Sequence, residues 1–156
     1  MKRFFPIVLA ATLIAAIALP SSGSAASNAR FFHTLDSNIS CAILKGKKKR
    51  KKNGKKIPRI PGETRCDIRN HTWVAPPKPA NCPVDWGQGV SVGDFKPAGY
   101  VCAGDTVADP SAPAVAPGGV VALGKFSCSV LPATVRCTNI ANGHGFELGA
   151  ATVSLF

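Results

Sequence analysis

The sequence lacks most of what marks a catalyst or a metalloprotein. No cysteine pair has the two-residue spacing of a zinc site, the three histidines are scattered, and no acidic calcium loop is present, so neither a metal nor a cofactor is expected. There is no nucleophile elbow and no paired-carboxylate motif. Helical periodicity is scarce, and no apolar run after Leu19 approaches the roughly 20 residues that cross a bilayer as a helix. Acidic residues are missing from the whole stretch between Lys45 and Arg59, and aromatics are missing there too, which leaves no platform for stacking nucleic-acid bases.

What is present begins with an export signal. Lys2 and Arg3 form a positive start, Ile7 to Leu19 an apolar run, and Pro20 to Ala26 a small-residue exit. A secretory leader over residues 1–26 is expected, followed by one domain over 27–156, secreted, extracellular and monomeric. Cleavage after Ala26 fits the small-residue rule, and Ala25 or Ala29 could serve. The first cysteine, Cys41, lies too far downstream to carry a lipid at the mature N-terminus. In an oxidising compartment six cysteines read as three disulfides.

Thirteen prolines and 15 glycines spread along the chain, with frequent two-residue alternation, predict an all-β domain of antiparallel hairpins. Ile39, Cys41 and Ile43 alternate with Ser40 and Ala42; Thr64, Cys66 and Ile68 alternate with Arg65 and Asp67. Pairing Cys41 with Cys66 sets Ile39 against Ile68. Pairing Cys128 with Cys137 sets Phe126 against Asn139 and leaves Leu131 to Thr134 as a four-residue turn. Six cysteines allow 15 connectivities, and the alternation favours these two bridges, with Cys82 and Cys102 paired by elimination. Chain entropy gives about 3.5 kcal/mol for the first loop and about 2.7 kcal/mol for the second, as upper values. Further strands are expected at Gly99–Cys102, Val120–Leu123, Gly145–Leu148 and Thr152–Phe156, the last docked against the domain.

Charge is concentrated in one segment. From Ser27 onward there are 17 basic and 8 acidic side chains, and ten of the basic ones are Lys45, Lys47, Lys48, Lys49, Arg50, Lys51, Lys52, Lys55, Lys56 and Arg59. Without them the domain is nearly neutral, at 7 against 8. The segment 45–59 is expected to be an exposed, mobile hairpin tip, because so many like charges cannot pack together. It is the candidate binding element for an anionic cell-envelope polymer, an acidic glycan, an anionic lipid surface or nucleic acid. The bland alternative is a solvated loop that only aids solubility.

Other candidates are thinner. Gly143-His144-Gly145 could present an imidazole as a general base, with Asp85 or Asp105 as partner in a small hydrolase-like enzyme, although a glycine turn explains the same residues. Asp85-Trp86-Gly87-Gln88-Gly89, with Trp73 and Tyr100, could form an aromatic platform, or simply shield the core. A disulfide-stapled basic loop could also sit in a protease cleft as an inhibitor. The expectation is a non-catalytic module.

The ordered series Ser37-Asn38-Ile39-Ser40-Cys41, Arg65-Cys66-Asp67-Ile68, Trp73 with Pro76-Pro77 and Pro79-Ala80-Asn81-Cys82, Asp85-Trp86-Gly87-Gln88-Gly89, Val101-Cys102-Ala103-Gly104-Asp105-Thr106 and Gly143-His144-Gly145-Phe146 resembles a family of exported actinobacterial proteins and lipoproteins defined by a cysteine-rich domain of unknown function. The resemblance implies a single disulfide-containing β-rich domain and no established reaction. The chain departs from it at the basic insertion from Lys45 to Arg59, where similar proteins have a short turn.

Overall fold

A computed structural model describes residues 27–156, and the expected leader over 1–26 lies outside them. Thirteen strands are present and no helix occurs among the described residues: β1 (Ala29–Thr34), β2 (Ile39–Leu44), β3 (Arg50–Lys52), β4 (Lys55–Ile57), β5 (Glu63–Ile68), β6 (Trp86–Gly93), β7 (Gly99–Cys102), β8 (Ala114–Val115), β9 (Val120–Leu123), β10 (Phe126–Val130), β11 (Thr134–Asn139), β12 (Gly145–Gly149) and β13 (Val153–Leu155). They form a six-stranded sheet in the order β7-β6-β5-β2-β1-β8, a five-stranded sheet in the order β13-β12-β11-β10-β9, and the separate ribbon β3-β4. Pairing is antiparallel except where the short β8 joins β1 in parallel.

Alternation along the strands decides which side chains meet between the sheets. Phe32, Ile39, Ile43, Ile68, Val90 and Val92 of the first sheet pack against Phe126, Val130, Val135, Phe146 and Leu148 of the second, all buried. Cys41 stands opposite Cys66 and Cys128 opposite Cys137 in their hairpins, and both pairs are bridged, as is Cys82 with Cys102. The two hairpin bridges also touch: Cys66 Sγ lies 3.7 Å from Cys137 Sγ, and the Thr64 hydroxyl, which donates to the Ala42 carbonyl, lies 3.6 Å from Cys128 Sγ. The expected registers therefore hold, with Ile39 opposite Ile68 and Phe126 opposite Asn139.

Two polar groups close the sandwich at its ends. Asn139, buried, donates from Nδ2 to the Gly93 carbonyl of the facing sheet and accepts the Ala141 amide at Oδ1. Trp73 donates its indole N–H to the Gly149 carbonyl and packs its ring on the core.

The basic segment is an exposed hairpin with regular pairing: Lys47 bridges to Ile60, β3 and β4 pair from Arg50–Ile57 to Lys52–Lys55, and Asn53 and Gly54, at φ 50° and 74°, make the left-handed pair of a type I′ turn. Backbone pairing tolerates the charges because the side chains splay into water on both faces. In the stretch Asp85 to Gly89, Trp86 to Gly89 form the start of β6 and Asp85 directly precedes it. The C-terminus docks through β13 and the reciprocal Gly145–Phe156 backbone bonds, yet Leu155 and Phe156 stay more than a third exposed, so main-chain pairing holds it more than burial does.

Replacing Cys128 and Cys137 together by alanine is expected to cost about 3 kcal/mol or more in urea unfolding, from lost chain restraint plus the gap left against Cys66. A cost near zero would mean that the contact between the bridges is incidental.

Candidate functional site

The strand directions give the sandwich two unlike ends. One end carries the ribbon, the β6–β7 turn at Asp94 to Pro97, the β9–β10 turn at Gly124 and Lys125, and the β11–β12 turn at Ile140 to His144. The other carries the β1–β2 turn at Leu35 to Asn38 and the β10–β11 turn at Leu131 to Ala133.

At the ribbon end the cations surround one sheltered carboxylate. Asp94 Oδ2 accepts the Gly62 amide at 2.9 Å and Arg59 at 3.2 Å, and its Oδ1 lies 3.6 Å from Lys125 Nζ. Burial pushes this carboxyl up, but the Gly62 N–H, Arg59 and the Lys125 charge outweigh it and hold it below its ordinary value. A notch of about 180 Å³ beside it is lined by Lys45, Lys47, Lys48, Arg59 and Lys125. Arg59 also lies over the Phe95 ring, 4.2 Å from its centroid. Further out, Lys51 stands directly opposite Lys56 and Lys52 opposite Lys55. Like charges placed so repel, and a shallow groove of about 450 Å³ runs past Lys49, Arg50, Lys51 and Lys56.

The other end holds a polar groove of about 530 Å³ on the outer face of the six-stranded sheet, where Asp67, Asp85 and Asp105 come together with Ser40, Gln88 and Arg69. Its wall is the segment Ala103 to Ala108, fastened to the sheet by one arginine. Arg65 donates from Nε and Nη2 to both oxygens of Asp67, from Nη1 to Asp105 Oδ1, and from Nη2 to the Asp105 carbonyl. Asp67 Oδ2 also accepts the Val107 amide. Desolvation works against the Arg65 charge, but its carboxylate bonds raise its pKa above the ordinary value, while the bond and charge of Arg65 hold Asp105 low. Gly89 faces Asp67 across the strand pair because a Cβ there would meet the Asp67 carboxylate at 2.5 Å.

Asp85 and Asp105 thus share a groove, but His144 does not line it. His144 is exposed at the ribbon end, where its amide bonds to Asn142 Oδ1 and its carbonyl accepts from Asn139. The aromatic group does assemble: Trp73 and Trp86 each lie 5.9 Å from Tyr100, and His71 stacks on Trp73 at 3.8 Å. Trp86 spends its N–H on the Pro76 carbonyl, so it clips the proline-rich connector to the sheet. Cys41, Cys66 and Cys137 bring three sulfurs within 4.8 Å of one another, but all are in disulfides. The sequence reading missed Arg65 with Asp67, although their two-residue separation across Cys66 puts them on one outer face. It missed Asp94 and Phe95 altogether, since nothing local marks them.

The chain belongs to a family of unknown function (DUF6636), which matches residues 11–156. No curated protein and no solved structure matches the chain.

Because the Asp94 pKa is lowered in the fold, its stabilisation is complete above the ordinary value of 3.8 and is lost as pH falls through the lower folded value. Asp94→Asn should therefore lower stability at pH 6 and shrink the loss between pH 5 and pH 2, as read by thermal unfolding. An unchanged acid limb would show that the ribbon's base does not depend on this charge.

Proposed function

We propose that this protein is an exported, monomeric, non-catalytic module that binds anionic polymers or surfaces through the ribbon. The three disulfides support an oxidising destination, with residues 1–26 serving as the leader. The observation that carries the binding reading is the ribbon's charge geometry. Ten cations lie between Lys45 and Arg59, two lysine pairs stand directly opposite, and of the two acids at the base, Asp94 and Glu63, Asp94 is already neutralised by Arg59 and Lys125. The strand spacing extends the arm from Lys47 to Asn53 by about 20 Å.

A polyanion laid along this arm relieves the lysine–lysine repulsion and releases its own condensed counterions, so both partners gain. Single small anions would relieve only one pair. The contribution scales with the number of charges neutralised, and for this reason the expected selectivity is for multivalent, extended partners. The polar groove at the far end is set apart from this field by the length of the sandwich, and the basic arm is free to act without altering it.

A salt titration of binding to heparin, as a polyanion probe, tests the reading. The oxidised protein should lose affinity steeply with salt, with a log–log slope of several units. A version in which residues 47–60 are replaced by a short neutral turn should bind at least tenfold more weakly and with a shallow slope. Equal binding by the two versions would refute the proposal.

A further inference from the structure

The ribbon end carries more than charge. Phe95 is 65% exposed, Ile60 51% and Ile140 68%, and all three belong to the group of turns around Asp94. Contacts tie them to one place: Phe95 lies beneath Arg59, Arg59 and Lys125 meet on Asp94, the Ile140 amide bonds to the Lys125 carbonyl, and Ile60 exchanges backbone bonds with Lys47 at the ribbon's root. Isolated exposed apolar residues are ordinary on a protein surface. Three of them from three separate connections, interleaved with Lys45, Lys47, Lys96 and Lys125, are a different arrangement.

A soluble polyanion gives these apolar groups nothing to enter. A bilayer with anionic headgroups satisfies both halves of the surface: the cations meet phosphate and the apolar side chains pass into the interfacial layer. We infer that the ribbon end docks on an anionic lipid surface, with Phe95, Ile60 and Ile140 entering the interface and the ribbon lying along the headgroups. This rests on the polyanion reading above and narrows it to one partner.

The charge distribution fits that orientation. Four of the eight acids, Asp36, Asp67, Asp85 and Asp105, lie toward the groove end, whereas at the ribbon end Asp94 and Glu63 are outnumbered by the ten cations of the arm and by Lys125, so the field turns the ribbon end toward a negative surface before contact. Docked in this way, the groove faces away from the bilayer.

The test compares vesicles of phosphatidylglycerol and phosphatidylcholine, vesicles of phosphatidylcholine alone, and heparin. The full oxidised protein is used beside Phe95→Ser/Ile140→Ser, which alters only exposed side chains, and beside the version without residues 47–60. The native protein should bind the anionic vesicles and not the neutral ones. The double variant should bind anionic vesicles roughly tenfold more weakly, from lost apolar transfer, while its heparin affinity stays within twofold. As a direct readout, Phe95→Trp adds a fluorophore at the ribbon end that brominated acyl chains should quench. If the double variant matches the native protein on vesicles, or the added fluorophore is not quenched, lipid insertion is overturned while the polyanion reading stands. Heparin binding without vesicle binding would likewise assign the ribbon to a soluble polymer. If the ribbonless version matches the native protein on heparin and vesicles alike, the polyanion reading itself fails.

Discussion

The contact between two disulfides organises this domain. Each sheet is built around a hairpin whose central pair of opposed residues is a bridged cysteine pair, and the bridges meet sulfur to sulfur where the sheets face each other. A cystine is short, so the sheets can approach closely at this point while Phe32, Phe126 and Phe146 fill the wider space around it. The bridge also pins the register: a slip of one residue in either hairpin would turn its whole apolar row outward. Local pairing, sheet packing and covalent restraint therefore impose the same arrangement, which is the consistency expected of a chain that specifies one structure.

That centre leaves the ends free to differ. At one end a single arginine holds a wall segment against the sheet through two carboxylates; at the other a single carboxylate holds the root of a cationic arm through an arginine, a lysine and a backbone amide. The two arrangements are near inversions in charge. Each keeps a lone ionic group off the core by giving it several partners, and each lets a charged surface persist beside a small apolar interior.

Much of the fold could be read from the sequence because strand alternation and cysteine placement are local signals. The Ile39–Ile43 and Thr64–Ile68 rows were enough to fix which residues oppose one another, and the Leu131 to Thr134 turn followed from the same count. The ribbon was harder to read, since its lysine content argues against any packed strand. The Asn53-Gly54 dipeptide carried the missing signal, and its left-handed turn fits the twist of paired strands. The ribbon's charge was legible, but its root was not. Asp94 and Phe95 come from one turn and Ile140 from another far along the chain, and only the closed sandwich brings the first two beside Arg59 and the third to Lys125. The Arg65 network falls between these cases, with Asp67 in the local pattern and Asp105 reached only through tertiary structure.

The position of the ribbon between Cys41 and Cys66 has a consequence for proteolysis. Its lysines and arginines offer abundant sites for cleavage, yet the bond between these cysteines lies behind every one of them. A cut anywhere from Lys47 to Arg59 yields two chains that remain covalently joined and still hydrogen-bonded through β2 and β5. The nick severs only the arm's turn or one of its strands. The sandwich survives as a heterodimer of fragments, and its mass under non-reducing conditions gains only the one water of the hydrolysed bond until a second cut releases a peptide from the arm.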